Sequence, residues 1–253
     1  MRGLQVLLAS LVLSGPAPAE EVVASLSQDR VAITTDFAGS EISIFGAIKR
    51  VAPPPEAGPL DVIVAVTGPS RPAVVRMKER RFGIWVNGPG VTVDAAPSLY
   101  AVASTRPLGE AISYTEDLRH KISLTHAVRL VGESAGDRYP EEYRRALIRL
   151  RRAQGLYFEV PGGVQLLEET LFFSRVALPS QLIEGDYRAR ILLLRGGEVI
   201  DVHEQTIAVQ KVGLERWLYT MATEQALLYG ILSVAVGLAA GWLASAFFRV
   251  IFP

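Results

Sequence analysis

Cysteine is absent from this sequence altogether. That excludes thiol nucleophiles, c-type haem attachment, cysteine-based zinc sites and disulfide staples, so any folded region must rest on core burial alone. Histidine is scarce as well: His120, His126 and His203 are the only three, and the first two are neither i+2 on a strand nor i+4 on a helix, so no metal-ligand spacing exists. An excess of either charge is also missing. With 26 Lys and Arg against 26 Asp and Glu the chain has no electrostatic footprint for nucleic acid, and none is expected as a partner. The G-x-S-x-G nucleophile elbow and the G-x-x-x-x-G-K phosphate loop do not occur. The adjacent carboxylates Glu116 and Asp117, and Glu168 and Glu169, point different ways on a helix or strand and read as solvated surface. No catalytic, cofactor-binding or metal-binding residue is predicted, no cofactor is expected, and the chain reads as a non-enzyme. A Ser-His-Asp triad assembled from distant residues would escape a motif search.

What the sequence does have is an apolar run at each end. Arg2, an apolar stretch over residues 4–13 and Ala17-Pro18-Ala19 before Glu20 form the three parts of a secretory signal peptide, residues 1–19, with cleavage after Ala19. Its core is shorter than the roughly 20 residues that span a bilayer. Residues 226–248 carry no charge, and as a helix they reach about 34 Å, enough for the hydrocarbon core. This predicts a single-pass inner-membrane protein: an exported N-terminal region in the periplasm, a juxtamembrane helix start over 213–225, a transmembrane helix over 226–248 and a cytoplasmic tail over 249–253. Arg249 agrees with the positive-inside tendency, and the tail leaves no room for a cytoplasmic domain.

Within the apolar helix, Ser233, Gly237, Gly241 and Ser245 recur every four residues and share one face. Small residues let two helix backbones approach, so this stripe is a candidate packing face for another transmembrane helix, from an integral membrane partner or from a second copy. Trp217, Tyr219 and Tyr229 fall where interfacial anchors belong.

Between the two ends the pattern is mainly β. "RVAITT" and "SEISIFGAI" alternate, "LDVIVAV" is continuously apolar, and further strands are predicted at "PAVVRMK", "RFGIWVN", "VTVDAA" and "LYAVAST". "APPPEAGP" reads as a surface loop and "NGPG", residues 87–90, as a turn. The period becomes helical in "EEYRRALIRLRRAQG", with Tyr143, Ala146, Leu147 and Leu150 on one face, and more weakly in "GEAISYTEDLRHK". Strands then return. "GDYRARILLLRGGEVIDVHEQTIAVQK" predicts a hairpin through Gly196-Gly197, with Tyr187 as an immunoglobulin-type corner tyrosine and Ala189 where antibody domains place cysteine. The predicted architecture is two immunoglobulin-like β-sandwich modules, 20–107 and 156–212, joined by a helical connector over 108–155.

Two basic clusters stand out. "RMKERR", residues 76–81, reads as a solvated strand edge, whereas Arg144, Arg145, Arg149 and Arg152 on the helix form a candidate exported interaction surface for an anion or acidic partner. Trp85 is predicted to be a core residue of its strand.

The stretches "VAITTDFAGSEISIFGA", "VVRMKERRFGIWVN", "PSLYAVASTRPL", "RALIRLRRAQGLY", "TLFFSRVALPSQLIEGDY" and "LLYGILSVAVGLAAGWLASAFFR" together resemble an alphaproteobacterial family of single-pass transmembrane proteins of unassigned function. The resemblance covers residues 31–249. It implies a signal peptide, an exported β-rich region and a C-terminal membrane helix, and supplies no catalytic residues. It also implies that genes of the family are sometimes found near those of sulfite-exporter-type permeases, which makes such a permease one candidate for the integral membrane partner. Two functions remain open on this reading: an accessory or scaffold subunit of a membrane complex or transporter, and a tethered periplasmic module that binds a small ligand or envelope component.

Overall fold

The computed structural model describes residues 20–34, 37–50, 58–128, 140–212 and 221–251. The signal-peptide reading, most of the proline-rich loop, and the anchors Trp217 and Tyr219 lie outside the described residues. The elements in chain order are β1 (Glu20–Leu26), β2 (Arg30–Ile33), β3 (Ser40–Arg50), β4 (Leu60–Thr67), β5 (Ser70–Arg81), β6 (Ile84–Pro97) and β7 (Tyr100–Ser104). Helices α1 (Leu108–Ala111), α2 (Tyr114–His120), α3 (Leu124–Ala127) and α4 (Pro140–Ala153) follow. The chain continues through β8 (Tyr157–Pro161), β9 (Val164–Leu167), β10 (Leu171–Leu178), β11 (Gly185–Arg195) and β12 (Glu198–Lys211), and α5 (Ala226–Ile251) comes last.

The apolar run 60–66 is buried along its whole length, which a mainly antiparallel sheet permits only when both of its faces are covered. That is the position of β4. It lies inside a six-stranded sheet of order β2-β12-β11-β4-β7-β8, in which only the short edge strands β2 and β8 pair in parallel. Register sorts the side chains. Val62, Val64 and Val66 align with Leu193, Ile191 and Ala189 on one face, which meets a second sheet of order β1-β3-β10-β9. Ile63 and Ala65 align with Ser104 and Val102 on the other face. Tyr100 shares that second face, and its hydroxyl donates to the carbonyls of Lys121 (3.1 Å) and Ile122 (2.7 Å), so the α1–α3 segment covers it. Each Val or Ile buried between the layers contributes roughly 1.5–3 kcal/mol relative to exposure.

The two sheets and the helical layer share one core, and this corrects the division into two modules. β1 pairs with β3 and β3 with β10, while β4 pairs with β11 and β7 with β8, so both larger sheets combine strands from before and after the helices. Local pattern identified the strands, but pairing across more than a hundred residues is set by which apolar faces meet. The corner expected at Tyr187 is present: its hydroxyl donates to Ile183 O at 2.9 Å and accepts from Ile183 N at 3.2 Å, with Tyr187 and Ala189 fully buried. The hairpin predicted through Gly196-Gly197 joins β11 to β12.

β5 and β6 form a separate two-stranded arm that grows out of the centre of the larger sheet. The β4–β7 ladder ends at the Thr67–Tyr100 pair, continues through Gly68 N to Leu99 O (2.9 Å) and Ser98 N to Pro69 O (3.0 Å), and resumes at the Ser70–Pro97 pair. Gly68 is required at this exit, because a β-carbon there would meet Ser98 Oγ at 2.4 Å. "NGPG" is not the turn. It lies inside β6 as a bulge, where Arg76 pairs with Gly90 and Lys78 with Asn87, and the bulge accommodates a proline that cannot donate to the ladder. The turn is Phe82-Gly83, with both φ values positive.

Candidate functional site

Helix α4 is amphipathic, and it buries Tyr143, Leu147 and Ile148. Leu150, expected on the same face, stays exposed because it lines a groove between α4 and the stem of the arm rather than the core. The groove has a volume of about 700 Å³, and Arg76 and Lys78 from β5 face Arg145 and Arg149 from α4 across it, with Glu142 as the acidic residue of the lining. A smaller pocket of about 310 Å³ lies on the far side of the same two arginines, toward Ser123 and Thr125.

The four arginines named from the sequence therefore separate into two pairs. Arg144 is bound by Glu141 one turn earlier, and Arg152 donates to Glu159 Oε2 at 3.2 Å. Arg145 and Arg149 make no ion pair among the described residues, and neither does Lys78 across the groove. "RMKERR" is thus more than a charged edge. Its first two cations complete a site whose other half lies on α4, a pairing that no local spacing discloses.

Cations elsewhere are neutralised in a buried setting. Glu20, 3% exposed, accepts from Arg195 Nε (3.0 Å) and Nη2 (2.7 Å) and from Arg50 Nε (2.8 Å). Burial pushes the Glu20 carboxyl up, but the hydrogen bonds and charges of Arg195 and Arg50 outweigh it and hold the group below its ordinary value. Asp61 is likewise buried, accepting from Thr105 Oγ1 at 2.6 Å and from the Arg106 guanidinium, and its hydrogen bond raises the arginine further. Burial also pushes the Tyr157 hydroxyl up to about 12, so this group stays a donor, to Pro97 O at 2.7 Å.

A serine, a histidine and an aspartate do meet. Asp117 Oδ2 lies 2.9 Å from His126 Nδ1, and Ser123 Oγ lies 3.1 Å from that same nitrogen. A charge-stabilised nucleophile needs the acid on one ring nitrogen and the serine on the other. Here both address Nδ1, while Asp117 Oδ1 accepts from Ile122 N (3.1 Å) and Ser123 N (2.6 Å), so the cluster closes the turn after α2. Glu116, expected in solvent, is buried beside Arg119 (2.5 Å) and His120 (3.3 Å). Among the described residues no group of three His, Asp or Glu side chains could hold a metal ion.

Trp85 is not a core residue. It is 69% exposed at the end of the arm, next to Ile84 at 64% and Phe82, whose side chain is wholly exposed. Alternation placed Trp85 on a strand correctly, yet nothing in its neighbours shows that the strand leaves the sheet. The small-residue stripe Ser233, Gly237, Gly241 and Ser245 lies on α5, within the apolar span Ala226–Ser245, and a β-carbon at Gly237 or Gly241 would have nothing within 4 Å. Tyr229 stands in the first turn of that helix.

A family model described as Putative transmembrane protein (Alph_Pro_TM) matches residues 21–250. No curated protein matches the chain.

Proposed function

We propose, from the premise that the chain belongs to this transmembrane family, that it is a non-enzymatic accessory or scaffold subunit of an integral membrane complex or transporter. In this reading it is single-pass in the inner membrane, with residues 20–212 in the periplasm after removal of the signal peptide. The observation that carries the proposal is the basic groove: Arg76, Lys78, Arg145 and Arg149 converge on one open cleft without carboxylate partners among the described residues. Clustered cations repel one another, so an arrangement of this kind favours an acidic partner that neutralises them. The face of α5 bearing Gly237 and Gly241 supplies the second contact, with a transmembrane helix of the same partner, for which a permease of the sulfite-exporter type is the candidate.

The test is affinity purification of the tagged full-length protein from native membranes in mild detergent, beside Arg145→Gln/Arg149→Gln and Gly237→Leu/Gly241→Leu. A stoichiometric integral membrane protein is expected with the native chain, and less of it with either variant. Recovery of the native chain alone overturns the subunit reading.

The size of the groove favours a second reading, a tethered binding module, since volumes of 300–1,000 Å³ suit small ligands. Thermal shifts of the full-length protein with multivalent small anions, abolished by Arg145→Gln/Arg149→Gln, would support it.

A further inference from the structure

The arm rises from the centre of the larger sheet, its base continuous with the β4–β7 ladder and its strands bulged between Arg71 and Ala73 and between Arg76 and Lys78. Its outer half buries little. Val75, Val91 and Val93 are packed at the base, whereas Phe82, Ile84 and Trp85 at the tip are exposed. Strand geometry puts that tip about 20 Å beyond the last packed residue of β5.

Three features of the tip are unusual together. Phe82 occupies the first central position of a two-residue hairpin turn with φ of 51°, a place where Asn, Asp or Gly relieves strain and a bulky aromatic does not. Its ring is in open space, and a β-carbon added at the neighbouring Gly83 would have nothing within 4 Å. Directly behind these apolar side chains stand Arg80, paired across the ladder with Trp85, and Arg81, paired with Ile84. Glu79 is the only carboxylate from residue 78 to residue 87, and Arg81 holds it at 2.9 Å. Strain and apolar exposure at one residue, with no compensating contact among the described residues, point to a surface outside the protein.

We infer that the Phe82-Ile84-Trp85 tip inserts into the interface of an anionic phospholipid bilayer, with Arg80 and Arg81 on the headgroup phosphates. Aromatic rings prefer the headgroup level, aliphatic side chains the acyl boundary, and cations the anionic surface, which is the order of residues from tip to stem. A bilayer rather than a protein groove is the chosen occupant because the chain belongs to a transmembrane family and α5 is long and apolar enough to cross a membrane, which puts a bilayer interface within reach of the arm. The inference needs only that anchor and no partner, so it can fail while the subunit reading stands, and the reverse.

The absence of cysteine makes the test clean. In full-length Ile84→Cys, a nitroxide is the sole label; Thr206→Cys on β12 is the reference. Each protein is reconstituted into vesicles of phosphatidylglycerol with phosphatidylethanolamine, and into phosphatidylcholine alone. At position 84 in the anionic vesicles, oxygen is expected to relax the label more than a water-soluble nickel chelate does, with the opposite order at position 206. Arg80→Gln/Arg81→Gln should cut the inserted fraction about fivefold or more per charge removed. Phe82→Asn, which suits the turn and keeps the fold, should leave the label in water. A nickel-accessible label at 84 in both vesicle types overturns the inference, as does a label equally inserted in neutral and anionic vesicles. Native-membrane crosslinking from the same site to another protein, with no insertion in vesicles, overturns it in favour of a protein occupant.

Discussion

The β11–β12 hairpin turns through Gly196 and Gly197, the β5–β6 arm through Phe82 and Gly83, and all four residues have positive φ. Around the first turn everything is satisfied: Gly197 O accepts from Ser113 N at 2.9 Å, and Arg195 next to the turn is locked onto Glu20. Around the second, Arg81 holds the half-exposed Glu79 at 2.9 Å, and the Phe82 ring has no cover among the described residues. A glycine stands where a left-handed residue is cheap in one hairpin, and an exposed phenylalanine stands there in the other. Turn chemistry alone closes both, so the difference lies in what surrounds them, an interior for one and the outside of the protein for the other. The first hairpin holds the fold together; the second is carried by it.

The largest expected effect breaks that contrast on its stable side. Glu20→Gln leaves the Arg195 guanidinium buried opposite a neutral group, and breaking a buried pair in this way costs about 3–5 kcal/mol. Urea unfolding of the full-length protein in detergent should show the loss, and Arg81→Gln at the tip should move stability by no more than about 0.5 kcal/mol. An equal effect at both sites would erase the distinction.

The same carboxylate gives the comparison a pH dependence. Its folded-state pKa lies below the ordinary 4.5, so its stabilising contribution is fully present above that value and is lost as pH falls through the lower folded-state pKa. Unfolding midpoints measured downward from pH 6 should therefore drop more steeply in the native protein than in Glu20→Gln, whose neutral side chain has no proton to take up. Parallel curves would show that Glu20 is not held by its two arginines.

How much of this was readable beforehand follows the range of the interactions. Strand periodicity located β3, β4, β11 and β12, and the corner at Tyr187 and the turn at Gly196-Gly197 were legible because their hydrogen bonds close within a few residues. The interleaving of β1 and β3 with β10 was not, since an alternating strand records that it has a buried face but not which strand shares its sheet. Trp85 failed for a related reason: Ile84, Trp85 and Val86 look the same in a core strand and in an arm standing free of the sheet. Half of the basic groove was visible in Arg145 and Arg149, and the half from Arg76 and Lys78 appeared only when β5 was placed against α4.

Exchanging the turn residues sharpens the comparison at a smaller scale. Gly197→Ala forces a β-carbon into the left-handed region, 3.3 Å from Ser113 N, and should destabilise by about 1–2 kcal/mol. Phe82→Asn should do the opposite and stabilise by about 0.5–1 kcal/mol, because asparagine tolerates this conformation and no contact is lost. Thermal unfolding in detergent of both variants reads the two signs. If Phe82→Asn destabilises instead, the ring has a contact within the protein and the arm is not the outward-facing device described.

The smallest stability effect is expected where the functional effect is expected to be greatest. Arg145 and Arg149 carry no ion pair among the described residues, so Arg145→Gln/Arg149→Gln removes no interaction that folding depends on and should leave stability within about 0.5 kcal/mol of the native chain. Relief of repulsion among Arg145, Arg149, Arg76 and Lys78 works in the favourable direction, and it should fade with added salt as the charges are screened. Arg152→Gln on the same helix, which breaks the contact with Glu159, serves as the matched control, and an exposed pair of that kind is worth about 0–1 kcal/mol. Loss of partner or anion binding in the double variant, with an unchanged unfolding midpoint, would separate residues kept for recognition from residues kept for folding. A large destabilisation would instead place Arg145 and Arg149 with Arg195, as part of what holds the β domain together.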